Sequence, residues 1–258
     1  MNLRHIISGL VPARLADLHR ERTRQQRLHA GRVAFYRTLV GRGDLVFDVG
    51  ANIGERVAAL LELGCRVVAV EPQAACVERL RRIETGSGSL VIVAKACGAE
   101  SGELLLRSGG DGDVLASLSE DYISTVSGSG RFAAHRWDHE QKVEVTTLDA
   151  LIAEHGTPRF IKIDVEGFES KVLAGLSSAP PVLSFEFTPE LGASMRECIR
   201  RCAKLGLREF NLSFGESMVF ARAEWVGSER MLDIVGALEG DRWLFGDIFA
   251  RRAESSPA

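Results

Sequence analysis

Leu45-Val46-Phe47-Asp48-Val49-Gly50-Ala51-Asn52-Ile53-Gly54-Glu55 decides the fold. Leu45 to Val49 is a short apolar strand, and Arg56 to Leu63 reads as a helix closed by Gly64. A buried strand therefore turns tightly into a helix through Gly50 and Gly54. Glycine tolerates positive φ and lets a ligand approach bare backbone, which such a turn demands. Cys65 to Val70 forms a second strand that ends on an acid, Glu71. An acid about 20 residues beyond a glycine turn implies a nucleoside-containing cofactor whose ribose hydroxyls the carboxylate holds. The other reading is that the glycines only make a tight strand–helix junction, and the placement of Glu71 weighs against it.

The spacing is Gly-x-x-x-Gly, with Asp48 two residues before the first glycine. Dinucleotide sites place a second glycine where the backbone approaches a pyrophosphate; here Asn52 stands in that place. A carboxylate beside the turn disfavours an anion and favours a cation or an ammonium group. S-adenosylmethionine carries no phosphate, has a sulfonium and an amino group, and offers a ribose to Glu71. It matches these charges better than NAD or ATP.

The 258 residues can bury a sizeable core as one large α/β domain or two small ones. Hydrophobic residues at 45% and charged residues at 26% are ordinary for a globular protein. A net charge of −3 and a pI near 6.1 make no bulk electrostatic case for nucleic acid. The five cysteines, at 65, 76, 97, 198 and 202, are scattered and odd in number, as expected of small buried hydrophobes in a reducing cytoplasm. Cys198 and Cys202 share a helix face but have no cluster to complete a metal site. No apolar run approaches the roughly 18–20 residues of a membrane span, and Met1 to Val11 shows neither a long apolar region nor a small-residue cleavage site. The expected location is cytoplasmic.

Residues 1–43 form a basic prelude. Arginines at 4, 14, 20, 22, 24, 27, 32, 37 and 42 face only Asp17 and Glu21, with Leu10, Leu15, Leu18, Leu28, Val33 and Phe35 spaced loosely as on helices. The leading reading is a solvated helical arm packed across a catalytic domain at 44–258. The other is a peripheral surface for anionic lipid or an anionic sugar carrier.

Beyond Glu71-Pro72, a helix is predicted at 73–83, a loop at Thr85 to Ser89 and a strand at Leu90 to Ala94. Lys95-Ala96-Cys97-Gly98 follows at the C-terminal end of that strand, where ligands of open α/β sheets gather. A further strand is predicted at Glu103 to Arg107. Residues 108–141, with Gly109-Gly110-Asp111-Gly112-Asp113 and Ser127-Gly128-Ser129-Gly130, read as a long lid or substrate loop. The acid–glycine alternation lacks the spacing of a calcium loop. Phe132, His135, Arg136, Trp137, Asp138 and His139 can either stack on and hydrogen-bond a sugar or pack down onto the domain.

Lys142 to Thr146 alternates as a strand with an exposed face, and Thr147 starts a short helix through Glu154. Arg159 to Ile163 is a buried strand followed by Asp164-Val165-Glu166-Gly167; a helix is expected at 168–176 before Pro180-Pro181. Val182 to Phe187 is a strand carrying Glu186, and a helix is expected at 190–204. Glu209 to Phe214 and Met218 to Ala221 read as an antiparallel hairpin at the sheet edge. A helix near 228–239 and a strand at 247–251 complete the pattern. Strand–helix alternation of this kind argues for a mostly parallel, three-layer α/β sheet.

Val46-Phe47-Asp48-Val49-Gly50-Ala51-Asn52-Ile53-Gly54, Val70-Glu71-Pro72, Thr147-Leu148-Asp149 and Ile161-Lys162-Ile163-Asp164-Val165-Glu166-Gly167 together resemble the FkbM family of SAM-dependent methyltransferases, from about residue 44 to 210. The resemblance implies a class I methyltransferase fold, Rossmann-like, with a seven-stranded sheet and an antiparallel hairpin. It also implies methyl transfer to hydroxyl oxygens of sugars, glycolipids, polyketides or related metabolites. Carried over, Asp48, Gly50, Asn52 and Gly54 would line the methionine end of the cofactor. Glu71 would bind the ribose, and Ala96 and Cys97 would lie near the adenine.

A hydroxyl is a poor nucleophile and profits from a base or a metal. Asp164 and Glu186, at the ends of two strands, can hold Mg²⁺ together, or either can serve as the base. Glu166 and His139 are further candidates for the base, and Lys162 is read as neutralising a neighbour. Two other functions stay open on these residues: a nicotinamide-dependent oxidoreductase, which Asp48 and Asn52 disfavour, and a non-catalytic SAM-binding partner protein.

Overall fold

The structure is a computed structural model that describes residues 13–83, 88–129, 132, 134–241 and 243–253. Arg4 and Leu10 of the basic prelude, Thr85, Gly86 and Ser87 of the loop before the third strand, and Gly130 lie outside the described residues.

In chain order the elements begin α1 (Ala13–Tyr36), β1 (Leu45–Val49), α2 (Glu55–Glu62), β2 (Arg66–Val70), α3 (Ala74–Leu80), β3 (Leu90–Val93), β4 (Ala96–Cys97) and β5 (Gly102–Ser108). They continue α4 (Glu120–Ser129), β6 (His139–Thr146), α5 (Leu148–His155), β7 (Phe160–Ile163), α6 (Glu169–Ala174) and β8 (Val182–Phe187). A 3-10 turn at Pro189–Leu191 leads into α7 (Gly192–Lys204), β9 (Glu209–Phe214), α8 (Ser228–Leu238) and β10 (Gly246–Arg251).

The main sheet has seven strands in the order β3-β2-β1-β7-β8-β10-β9. All neighbours are parallel except β10, which runs antiparallel to both β8 and β9. Alternation sorts the side chains: Leu45, Phe47 and Val49 face a layer built by α5 to α8, whereas Val46 faces the layer of α1, α2 and α3. Sheet and helices thus form a three-layer α/β sandwich, mostly parallel and seven-stranded, as expected. Strand order reverses between β1 and β7, so the C-terminal ends of these two strands open a crevice. The helix predicted from Thr147 is α5, with the Thr147 hydroxyl accepting from the Ala150 N–H at 3.1 Å.

Three expectations are corrected. The partner of β9 is β10, not Met218 to Ala221; that segment folds back over β9 without becoming a strand, and its Met218 adopts φ 50. The Ala221 N–H donates to the Leu212 carbonyl at 2.7 Å, and Phe220 packs against Phe35 and Phe249. Secondly, residues 108–141 are not one long loop. They contain α4, and from His139 they enter β6, which pairs with β5 and β4 in a separate three-stranded sheet. Thirdly, the arm is not uniform. Val33, Phe35, Tyr36, Leu39 and Val40 are buried in the core under β1, β7 and β10. Each large apolar side chain so buried contributes about 1.5–3 kcal/mol, which fixes the end of α1, whereas residues 20–22 and 24–27 are exposed.

Candidate active site

A cavity of about 450 Å³ opens at the C-terminal edge of the main sheet. The β1 turn contributes Gly50, Ala51, Asn52 and Ile53; the end of β2 contributes Glu71, Pro72 and Gln73; and Lys95, Ala96 and Cys97 stand at the far side. Asp164, Val165 and Glu166 after β7, with Glu186 on β8, form the acidic end. Asp113, Val114, Ala116 and Leu118 come from the segment between β5 and α4.

Glu71 is held at the cavity by two backbone donors. Its two oxygens accept the Asn52 and Gln73 backbone N–H groups, each at 2.9 Å. Burial pushes its carboxyl up, and those N–H bonds oppose the rise. Gln73 extends the arrangement by donating its amide to the Asp113 carbonyl at 2.9 Å. Asn52 adopts φ 47, in the left-handed region, which turns its N–H towards Glu71. Gly50 has φ 83 and packs directly on the Asp164 backbone. Ala96 and Cys97 are buried and line the cavity.

Three predicted site residues lie off the cavity wall. Asp48 is one strand position below the turn, and the two-residue period points it into the α1–α2 layer, level with Lys162 across the β1–β7 pair. Neither of its oxygens has a hydrogen-bond partner among the described residues. Burial raises its carboxyl, against the opposing charges of Lys162 and Arg56. Gly54, at φ 86, closes the turn onto Leu80 of α3 and Ile83 just beyond it. His139 opens β6 opposite Ser108, with 67% of its side chain exposed, and is not part of the wall. The aromatic set near it packs down: the Trp137 indole N–H donates to the Leu115 carbonyl and His135 meets Asp113, both at 2.9 Å. These rings buttress the Asp113–Leu118 wall from behind.

The acidic end rests on a buried charge network. Lys162 reaches Asp164 at 2.8 Å and Asp247 of β10 at 3.2 Å. Arg56 lies 3.7 Å from Asp164 and 3.0 Å from Glu216, and Glu216 is also paired with Arg32 of α1 at 3.2 Å. Burial pushes the Asp164 carboxyl up, but Lys162 and Arg56 reverse this and hold it at about 2. Glu166 moves the other way, to about 8, through burial and then the Asp164 charge. Burial also lifts Glu186 well above the usual carboxylate range, with the charges of Asp164, Glu166 and Glu169 adding to it. Oxygens of Asp164, Glu166 and Glu186 lie within 4.8 Å of one another.

Tyr122, Arg56 and Glu216 escaped the sequence reading. Tyr122 had a signal: Ser119 before Glu120 and Asp121 is a helix start, and the Ser119 hydroxyl does accept the Tyr122 N–H at 3.1 Å. Glu216 had none, because its partner Arg32 is 184 residues away.

Residues 48–205 match the Methyltransferase FkbM domain family. No curated protein matches the sequence. Among solved structures, the chain is similar to precorrin-6y C5,15-methyltransferase from Geobacter metallireducens, with TM-score 0.45, 10% identity and 87% of each chain covered. It is also similar to magnesium protoporphyrin IX methyltransferase from Synechocystis with bound SAM, with TM-score 0.44, 10% identity, and 89% of this chain and 80% of that one covered. A TehB-like SAM-dependent methyltransferase from Corynebacterium glutamicum aligns at TM-score 0.40 and 11% identity, over 92% of this chain and 99% of that one.

Proposed function

Because the chain belongs to the FkbM methyltransferase family, and so to the SAM-dependent methyltransferases, we propose that it methylates a hydroxyl oxygen on a sugar, glycolipid or related metabolite. The observation that carries the acceptor class is the charge state of the cavity. Its two cationic side chains are already engaged, Arg56 by Asp164 and Glu216, and Lys95 by Glu144 at 2.8 Å. Asp164, Glu166 and Glu186 gather at the acidic end. Such a wall offers hydrogen-bond partners to hydroxyls and no unengaged cationic side chain to a phosphate or carboxylate.

Bound against Gly50 and Glu71, S-adenosylmethionine supplies an activated methyl group on a good leaving group. The chain's own task is then positioning. Glu71, pinned by two backbone N–H groups, keeps its remaining lone pairs for ribose hydroxyls. The bare Gly50 backbone admits the cofactor next to Asp164. Asp164, kept ionised by Lys162, holds a fixed negative charge that favours an ammonium or sulfonium nearby. Glu186 donates or accepts at the acceptor's hydroxyls.

We read the site as metal-free. Asp164 is bonded to Lys162, and Glu166 takes a hydrogen bond from Tyr122. Magnesium would have to displace those bonds and stand beside a buried ammonium. His139, exposed and off the wall, is left without a catalytic part in this reading. The five buried free cysteines suit a reducing cytoplasm, and among the described residues no helix is long and apolar enough to cross a membrane. The family match sets aside the nicotinamide oxidoreductase.

The test is incubation of the protein with tritiated SAM and a polar cell extract, followed by identification of the labelled product. Label on a sugar oxygen supports the reading, and undiminished labelling in EDTA supports its metal-free form. Label on nitrogen or carbon would refute the acceptor class. Cofactor binding without any label would favour a non-catalytic partner.

A further inference from the structure

Glu166 adopts φ 52, a left-handed conformation that a long side chain takes only under enforcement, at about 1–3 kcal/mol. The surroundings enforce it from α4 and the segment before it. The Ser117 hydroxyl donates to the Glu166 carbonyl at 2.6 Å, and the Tyr122 hydroxyl donates to the Glu166 carboxylate. Gly167 follows at φ 88, so close under Tyr122 that a Cβ there would stand 2.5 Å from the Tyr122 Cβ. The Val165 and Gly167 N–H groups are fastened to the Glu169 carboxylate at 3.0 and 3.2 Å. All of this holds one carboxyl against the cavity beside the Asp164 turn. Tyr122 itself is 1% exposed and is not part of the cavity wall.

We propose that Glu166 is the general base that takes the acceptor's proton, and that Tyr122 is its positioning residue. This rests on the methyltransferase reading above. In the step, a lone pair of the acceptor hydroxyl forms the new O–C bond while the C–S bond breaks and its electron pair stays on sulfur. The O–H proton passes to the Glu166 carboxylate, which later releases it to water.

The neighbouring acids are poorly suited to that role. Asp164 is ion-paired and too weak a base. Glu186 shares a hydrogen bond with Asp164, and burial and then Asp164, Glu166 and Glu169 lift its carboxyl well above the usual carboxylate range. Glu166 is pushed to about 8 by burial first, then by Asp164 of the β7 end, with Glu169 of α6 adding and Lys162 of β7 opposing. Glu186 of β8 faces the same cluster. A base of that strength operates near neutral pH. The Tyr122 hydroxyl stabilises the carboxylate, so its removal raises the Glu166 carboxyl further.

The full-length protein, Glu166→Gln and Tyr122→Phe are compared. With isotope-labelled glutamate, NMR is expected to show a carboxyl titrating near 8 that is missing from Glu166→Gln. In Tyr122→Phe the same carboxyl is expected to move up by about half a unit or more. S-adenosylhomocysteine is expected to stabilise all three proteins alike against heat. Labelling from tritiated SAM in polar extract is expected to fall about 100-fold or more in Glu166→Gln. Tyr122→Phe is expected to lose less, and to recover as pH rises. A Glu166 carboxyl titrating at the ordinary value of about 4.3, an unmoved titration in Tyr122→Phe, or wild-type labelling by Glu166→Gln would each overturn the proposal. Failure of S-adenosylhomocysteine to stabilise the wild type would instead overturn the methyltransferase reading on which it rests.

Discussion

Gly50 and Asp164 touch backbone to backbone: a Cβ built on Gly50 would overlap the Asp164 carbonyl. The cofactor turn after β1 and the acidic turn after β7 are therefore one contact, and only glycine permits it. Gly50→Ala adds a left-handed penalty of about 1–2 kcal/mol to that overlap. It is expected to lower stability in urea by more than the penalty alone and to remove thermal stabilisation by S-adenosylhomocysteine. A variant that unfolds like the wild type and still binds would show that the contact has no such role.

Glu71→Ala is expected to weaken S-adenosylhomocysteine binding and also to destabilise the free protein. It leaves the Asn52 and Gln73 N–H groups without their acceptor, at about 1–3 kcal/mol each. Glu71→Gln keeps one acceptor oxygen and is expected to lose less stability. Calorimetric titration alongside urea melts separates the two effects; unchanged affinity in both variants would sink the ribose assignment.

Lys162→Met leaves Asp247 as a buried carboxylate without its ion-pair partner and Asp164 with Arg56 alone. Breaking such a pair costs about 3–5 kcal/mol. The variant is expected to melt well below the wild type at pH 7 and to regain part of the difference in acid, where the carboxylates protonate. Equal melting temperatures across pH would contradict the network.

Glu166 and Glu169, raised to about 8 and about 7, ionise at higher pH in the folded chain than in the unfolded one. In the unfolded chain the same carboxyls ionise near 4.3, so from about pH 5 to 8 the folded state binds more protons and stability falls as pH rises. Asp164, held at about 2, works in the opposite sense and lower down. Its stabilising share is present above about 3.9 and is lost as pH falls towards 2. The melting temperature of the cofactor-free protein is expected to drop between pH 5.5 and 8.5, and Glu166→Gln is expected to flatten that slope. A rising profile would refute it.

Arg20, Arg22, Arg24 and Arg27 are exposed on α1. Replacing all four with Ser is expected to change stability little, since exposed positions usually shift it within about 0.5 kcal/mol. If this stretch meets anionic lipid or a lipid-linked sugar carrier, the wild type will sediment with phosphatidylglycerol vesicles at low salt and the variant will not. Absence of wild-type binding at low salt removes that role.

Much of the fold was legible because its signals are local. Gly50 and Gly54 need positive φ, Thr147 caps a helix, and apolar runs such as Phe160 to Ile163 mark buried strands. The edge pairing was not legible. Met218 to Ala221 and Gly246 to Arg251 both carry short apolar stretches, and the choice between them is made by the hydrogen-bonding edge of β8, which β10 alone satisfies. The cavity was legible in part through Gly50, Asn52, Glu71, Ala96 and Cys97, which line it together. Its catalytic side was legible only in part, because what distinguishes Glu166 from Asp164 is the company each keeps: Tyr122 from a segment that reads as loop, and Lys162 from within the same strand.

Lys162 shares its charge with Asp164, two residues away, and with Asp247, 85 residues further along the chain. During synthesis the ribosome delivers β1, β7 and β8 before β10, so the nascent sheet holds a lysine at its centre with only one of its two counter-ions. Until residue 247 has emerged, Asp164 is the one carboxylate of this pair available to Lys162. Closure of the sheet by β10 is thus also the moment at which its central charge can be dried.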